Sequence, residues 1–178
     1  FCVENLNKGD RFEIIRFSTE AEAVFGNLAT AEKKNLYKAR KFIKELRAIG
    51  GTNIEEALQM ALKSKKDGKR PFMILFITDG KPTIGETKED PRLSIVTKDN
   101  ATKPMIFTVG IGHEINTHLL DKITNETKAY RTYIAPDEDI EVKISDIYTK
   151  IQSPVFTDLE LMASGPVKFK KMYPRDLP

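Results

Sequence analysis

The sequence predicts an α/β fold in which a doubly wound, mostly parallel sheet carries helices on both faces. Apolar segments of strand length alternate with amphipathic segments of helix length, the order typical of right-handed β–α–β crossovers. The run PFMILFITDG, at Pro71–Gly80, is apolar without alternation. That pattern is typical of a strand buried on both faces of a parallel sheet.

The composition predicts a soluble domain with a proper core. Of the 178 residues, 40% are hydrophobic and 31% are charged, and the net charge is only +3. This balance favours neither a nucleic acid nor an anionic membrane as the main partner. The single cysteine, Cys2, excludes an intrachain disulfide and a thiolate metal cluster. Because no apolar run approaches the roughly 18 residues that a bilayer span requires, no membrane span is predicted in this chain.

In the first half of the chain, the sequence pattern predicts two strands and two helices. RFEIIRF, at Arg11–Phe17, is the first strand, and AEAVFG after it predicts a hairpin or a bent pair. A helix with apolar residues at three- and four-residue spacing follows from Thr30, its predicted N-cap, and stops at Gly50. A second helix opens at Thr52, and Glu55 three residues later predicts a capping box.

The second half continues the alternation and ends in a different kind of segment. After the strand in PFMILFITDG, the remaining elements are a short helix near Leu93–Asp99, a strand at Met105–Val109, a helix around Thr117–Thr124, the short strand AYRTYIA and a helix from about Asp137 to Ile151. Residues 1–151 are therefore predicted to form one domain. Residues 152–178 contain four prolines and interrupt the alternation of strands and helices. This change predicts the start of a following β-rich segment.

Two oxygen-bearing residues lie at the ends of predicted elements. In an open α/β sheet, ligands bind beyond the carboxyl ends of the strands. Asp79 ends the most hydrophobic strand, and Thr52 lies at the start of a helix. Carboxylate and hydroxyl oxygens suit a hard cation such as Mg²⁺ or Mn²⁺. The residues alone leave two other roles open, an N-cap for Thr52 and a turn residue for Asp79.

The sequence contains no recognisable set of catalytic residues. The only histidines, His113 and His118, are five residues apart, so they do not share the helix face that a zinc-binding pair at i and i+4 requires. The sequence also has no nucleophile-elbow motif. We therefore predict no catalytic residue and no enzyme activity.

The string GGTNIEEAL, followed by PFMILFITDGKPT and MIFTVGIG, resembles the second half of a von Willebrand factor type A domain. In that family, a metal-ion-dependent adhesion site combines an Asp-x-Ser-x-Ser loop after the first strand, a threonine in a second loop and an aspartate in a third. Thr52 matches the threonine, and Asp79 matches the aspartate. No Asp-x-Ser-x-Ser string occurs in the 178 residues, so the resemblance implies only part of the metal site.

The resemblance covers about residues 1–151, and the segment beginning IQSPVFTDLELM resembles the region after this domain in inter-α-trypsin inhibitor heavy chains. The family's strand order of 3-2-1-4-5-6 implies that the missing first strand belongs at the centre of the sheet. Its two neighbours would then present unpaired edges, which invite pairing with another chain. We expect the chain to close this gap, to borrow a strand from its tail, or to form a strand-exchanged homo-oligomer.

The resemblance implies a protein-interaction or adhesion module. Its intact form would hold Mg²⁺, or Mn²⁺ or Ca²⁺, and would bind a partner protein's carboxylate at an open coordination position. An extracellular, periplasmic or cell-surface location is favoured by the resemblance, and this chain is expected to bind divalent cations weakly or not at all. The alternative is a doubly wound nucleotide-binding protein or enzyme that holds phosphate at the helix N-terminus near Gly50–Asn53, although that loop has no Walker lysine.

Overall fold

The computed structural model describes residues 1–47, 50–64, 70–79 and 104–152. These ranges contain one three-stranded parallel sheet, two two-stranded antiparallel sheets and four α-helices. The helix predicted near Leu93–Asp99 and the tail from Ser153 onward lie outside the described residues. No helix in the described ranges has the length and apolar character that crossing a membrane requires.

The N-terminal part is built from short antiparallel pairs that follow a 3₁₀ turn at Cys2–Asn5. Strand β1 (Arg11–Phe12) pairs with β4 (Ala29–Thr30), and β2 (Ile15–Phe17) pairs with β3 (Ala21–Ala23). The predicted hairpin is thus present as β2 and β3.

The strand predicted over Arg11–Phe17 is divided in two because a side chain replaces a backbone partner. The Glu13 carboxylate accepts hydrogen bonds from Ile14 N at 2.8 Å and from Phe25 N at 3.0 Å. These N–H groups are satisfied by the carboxylate instead of by a continuous ladder. The chain therefore changes pairing partner between β1 and β2.

Two helices follow, and both begin later than predicted. Helix α1 (Lys33–Glu45) has Glu32 as its N-cap residue, so the prediction of Thr30 as the cap is wrong. Thr30 instead pairs in β4. Helix α2 (Ile54–Lys63) is amphipathic and buries one face of four apolar residues, namely Ile54, Ala57, Leu58 and Leu62.

The C-terminal part contains the predicted parallel sheet. Strands β5 (Met73–Thr78), β6 (Met105–Ile111) and β7 (Arg131–Ile134) are hydrogen-bonded in that order, and both pairs are parallel. Helices α3 (Thr117–Glu126) and α4 (Ile140–Gln152) alternate with the strands.

Helices cover both faces of this sheet, which confirms the predicted fold class. On one face, α2 and α3 pack in a single apolar cluster with Phe76 of β5 and Ile106 of β6. On the other face, α4 packs against Val109 and Ile134, and Leu75 lies beside them. The side chains of the parallel strands thus enter two separate layers of the core.

Strand β5 departs from the prediction of complete burial. Phe76 is 5% exposed, but its neighbour Ile77 is 41% exposed. Strand β5 is hydrogen-bonded to β6 on one edge, and it shares no ladder with β2. Among the described strands, the gap between β2 and β5 therefore stays open.

Candidate metal centre

Asn53, rather than Thr52, caps helix α2. Asn53 Oδ1 accepts a hydrogen bond from Glu56 N at 3.2 Å, and Asn53 Nδ2 donates to Glu56 Oε2 at 3.1 Å. The predicted capping box of Thr52 and Glu55 is therefore wrong by one residue. Asparagine is at least as good an N-cap as threonine, and capping does not account for Thr52.

The loop that carries Thr52 is fastened to the carboxyl end of β2. Asn53 N donates to Ser18 O at 2.8 Å, and Gly51 N donates to Thr19 Oγ1 at 3.3 Å. Gly50 has a φ of +70°, and a Cβ at this position would meet Thr19 Oγ1 at 2.5 Å. Only glycine takes this left-handed conformation and close approach without strain.

Asp79 leaves β5 at the corresponding end of the parallel sheet. It is exposed and directly follows Thr78, whose side chain is buried. Thr52 and Asp79 both line one cavity of about 1100 Å³ between β2 and β5, and Ser18 lines it with them. The structure thus places the two predicted site residues in the lining of a shared cavity.

The oxygen donors of Thr52 and Asp79 fit a hard cation, although the number of donors is small. Thr52 offers a hydroxyl oxygen and Asp79 a carboxylate oxygen. Mg²⁺ is octahedral, and it is commonly held by one or two carboxylates with several waters. Within the described ranges, no group of three or more His, Cys, Asp and Glu side chains is arranged to hold a metal ion. A complete site therefore requires further oxygen ligands from water or from elsewhere.

The loop at Gly50–Asn53 is poorly suited to phosphate, the ligand of the nucleotide-binding alternative. The N–H groups of Gly51 and Asn53 already donate to the end of β2, so they are not directed at an incoming anion. Glu55 and Glu56 lie in the first turn of α2 and would repel a phosphate there. The geometry therefore favours a cation over an anion at this end of the sheet.

Sequence reasoning missed the contributions of Asn53 and Thr19 to this loop. Thr19 is a loop residue after a strand, and its interactions join positions 32 and 34 residues apart in sequence. Local residue spacing does not predict such long-range contacts. The capping role of Asn53 was predictable, since asparagine followed three residues later by glutamate also fits a capping pattern.

Comparison with known proteins agrees with this architecture. A family model described as von Willebrand factor type A domain matches residues 1–130. The chain is 30% identical to human inter-alpha-trypsin inhibitor heavy chain H4 over 163 residues, which is 87% of the chain and 18% of that protein. It is 26% identical to heavy chain H1 of Mesocricetus auratus over 165 residues, with 88% of the chain and 18% of that protein covered. The chain thus spans about a fifth of the length of these relatives.

Solved structures show the same fold. A von Willebrand factor type A protein from Catenulispora acidiphila has a TM-score of 0.69 at 20% identity, with 83% of this chain and 34% of that chain covered. Proximal thread matrix protein 1 from the mussel byssus, solved with a zinc-occupied MIDAS motif, has a TM-score of 0.64 at 19% identity, with 84% and 38% covered. The chain belongs to the von Willebrand factor type A domain family, whose members are in general protein-interaction modules.

Proposed function

We propose that this chain forms part of a protein-binding module in which Thr52 and Asp79 are two ligands of a divalent-cation site. The observation that carries the proposal is that both residues line one cavity, Asp79 at the carboxyl end of β5 and Thr52 in the loop bonded to the end of β2. The cation is Mg²⁺ or Mn²⁺, and its remaining ligands are waters and oxygen atoms from outside the described residues. A partner protein's carboxylate completes the coordination shell.

Two findings support this proposal. The zinc-occupied MIDAS motif in the mussel protein shows a divalent cation bound by a structure of the same fold. In addition, hydrogen bonds to Ser18 and Thr19 hold the loop of Thr52 in place, and a preorganised ligand loses less conformational entropy on binding. We further propose that the parent protein acts outside the cell or at its surface.

Isothermal titration calorimetry tests the cation site. Mn²⁺, Mg²⁺ and ATP are titrated into the 178-residue chain and into a longer form of the parent protein that contains an Asp-x-Ser-x-Ser loop. We expect weak or undetectable Mn²⁺ binding by the chain and clear binding by the longer form. In the longer form, Asp79→Asn is expected to weaken Mn²⁺ binding at least about tenfold, because it removes an anionic ligand.

Asp146→Asn is the matched control, since Asp146 is an exposed carboxylate on α4, and it should leave Mn²⁺ affinity unchanged. Thr52→Val removes a ligand oxygen at nearly constant volume and should also weaken binding. Equal Mn²⁺ affinity in the wild-type, Asp79→Asn and Thr52→Val proteins would contradict the proposal. Binding of ATP by the 178-residue chain would favour the nucleotide-binding alternative instead.

A further inference from the structure

Helix α1 is much more basic than the rest of the molecule. Its 13 residues, KKNLYKARKFIKE, include six lysines and arginines and one glutamate. The formal charge of α1 is therefore +5, against +3 for the whole chain. The remaining residues are slightly negative in sum, so the net charge of the chain does not describe this helix.

One exposed face of α1 places an aromatic side chain among lysines. Residues three, four and seven positions apart share a face of an α-helix. Tyr37 is 71% exposed, and four exposed lysines lie at these spacings from it. The outer face of α1 thus consists of Tyr37 with Lys33, Lys34, Lys41 and Lys44. On the opposite side of the helix, Ala39 is buried and Leu36 packs in the same apolar cluster.

The positive charge of the outer face is hardly neutralised within the described residues. The ion pairs of α1 there join Arg40 to Glu4 at 3.7 Å and Lys41 to Glu45 at 3.9 Å. Both distances are long, and exposed pairs of this kind contribute little. The other three lysines of the outer face make no ion pair in the part of the chain that the structure describes. Their ammonium groups are therefore available to an anionic partner.

Helix stability does not explain this pattern of charge. The N-terminus of an α-helix carries a partial positive charge, so cations in its first turn are unfavourable. Helix α1 begins with Lys33 and Lys34 and has no acidic residue in its first turn. Like charges four residues apart, as at Arg40 and Lys44, destabilise a helix further. The pattern lowers the stability of α1, as functional surfaces often do.

The surroundings of Tyr37 favour a protein as the partner. A helix that lies on a membrane needs a free apolar face to bury in lipid, whereas the apolar face of α1 is packed in the core. Tyrosine is enriched among the residues that contribute most to protein–protein contacts, and a polar rim commonly surrounds them. Complementary charge across such a contact raises the association rate and selects the partner.

We infer that the outer face of α1 binds an acidic segment of a partner protein. The segment places an apolar side chain against Tyr37 and carboxylates beside the four lysines. None of these five described residues lines the cavity that holds Thr52 and Asp79, so the contact is separate from the candidate metal centre. Because the surface is small and exposed, the contact is weak and sensitive to salt.

Peptide binding tests the inference in buffer that contains a chelator, so the outcome is independent of the cation site. The probe is a short labelled peptide of glutamates with a single central phenylalanine, and the control peptide has serine in place of the phenylalanine. By fluorescence anisotropy, we expect at least about tenfold tighter binding of the phenylalanine peptide. Raising the salt to about 0.5 M should weaken binding strongly, because it screens exposed charges.

Charge variants test the lysines. Lys33→Gln combined with Lys44→Gln should weaken binding of the phenylalanine peptide at least about tenfold. The matched control combines Lys8→Gln with Lys128→Gln, which makes the same change in net charge at exposed positions outside α1 and should leave affinity unchanged. Lys33→Glu should weaken peptide binding and yet raise the melting temperature, because an acidic first turn favours the helix. A lysine with a purely structural role would not lower stability.

Aromatic variants test the anchor. Tyr37→Ser should weaken binding of the phenylalanine peptide and leave binding of the serine peptide unchanged. Tyr130→Ser is the matched control, since Tyr130 is a 46% exposed tyrosine outside α1, and it should bind like wild type. Circular dichroism confirms that each variant is folded.

Four results would overturn the inference. The first two are equal affinity for the two peptides and equal affinity of wild type and the variant with Lys33→Gln and Lys44→Gln. The third is tighter binding of a sulfated oligosaccharide that Tyr37→Ser does not affect, which would assign the outer face to a polysaccharide. The fourth is self-association by light scattering that the same pair of lysine substitutions abolishes, which would assign the face to a second copy of the chain.

Discussion

Asn53 connects the start of α2 to the end of β2 through one side chain and one backbone group. Its Oδ1 caps the helix, its Nδ2 reaches Thr19 O at 3.3 Å, and its N–H donates to Ser18 O at 2.8 Å. The same residue therefore stabilises a helix and attaches the loop of the adjacent Thr52 to the end of β2.

Replacing Asn53 should destabilise the protein in proportion to the bonds that are lost. Asn53→Ala removes the cap and the bond to Thr19, so we expect a loss of about 1–2 kcal/mol in the free energy of unfolding. Asn53→Ser keeps a capping oxygen and should lose less. Urea unfolding measures both changes, with the exposed Asn5→Ala as a control expected within about 0.5 kcal/mol of wild type. Equal losses for Asn53→Ala and Asn5→Ala would contradict this role.

At the residue scale, local patterns located the loop but not the bonds within it. Thr52 with Glu55 and Asn53 with Glu56 fit the same capping spacing, so spacing alone does not distinguish them. The contact of Asn53 with Thr19, which is 34 residues away in sequence, favours the second pair. The positions of Thr52 and Asp79 at the ends of elements were predictable from the sequence, and their roles as ligands stay a proposal.

Strand β7 and helix α3 are joined by a polar cluster around Tyr133. The Tyr133 hydroxyl donates to Asp121 Oδ1 at 2.5 Å, and the Tyr133 hydroxyl oxygen lies 3.0 Å from Thr117 O. Burial and the hydrogen bond to Asp121 raise the pKa of Tyr133 well above its ordinary value, although nearby Arg131 opposes this shift. The folded protein therefore retains the hydroxyl proton to higher pH than the unfolded chain.

This raised pKa predicts a loss of stability in alkaline solution. The stabilisation is fully present below the unfolded tyrosine pKa of about 10, and it decreases above that pH because the unfolded chain ionises first. Tyr133→Phe should lower the free energy of unfolding at neutral pH but make it fall less steeply as the pH rises from about 9 through 10 to about 12. Urea unfolding across this range tests the prediction, with Tyr37→Phe, at a 71% exposed position, as the control. Parallel pH profiles for wild type and Tyr133→Phe would contradict it.

At the element scale, the long apolar and amphipathic runs predicted the parallel strands and their helices, whereas boundaries depended on single side chains. Helix α4 begins at Ile140 instead of about Asp137, because Asp139 Oδ1 accepts from Glu141 N at 2.8 Å and from Val142 N at 3.2 Å. Glu13 divides the first predicted strand in a similar way. Such side-chain bonds to the backbone compete with regular structure, and hydrophobic periodicity does not report them.

For the molecule as a whole, the stacked pair of Phe17 and Phe76 joins the N-terminal hairpin to the parallel sheet. These side chains meet across the gap between β2 and β5, where the described backbone has no ladder. Both rings also contact the cluster formed by α2 and α3. Side-chain packing therefore substitutes for hydrogen bonds between the two parts of the fold.

Phe17→Ala should weaken this connection as well as the core. We expect a loss of roughly 3 kcal/mol, the lower end of the range for phenylalanine to alanine, because Phe17 is only partly buried. Amide exchange in β2 and β3 should accelerate more than exchange in β6, as local opening becomes easier than global unfolding. Phe17→Leu keeps most of the apolar volume and is the matched control. Uniform acceleration in all strands would show that the two parts unfold together.

The open edge of β5 has a further consequence for how the protein behaves at high concentration. MILFIT, at Met73–Thr78, is six residues long and contains no charge, proline or glycine, the composition of segments that stack into cross-β fibrils. Natural sheets protect such edges with a charged gatekeeper residue, whereas β5 has the exposed, uncharged Ile77. Among the described strands, none but β6 pairs with β5, so the isolated 178-residue chain is expected to aggregate through this edge at high concentration.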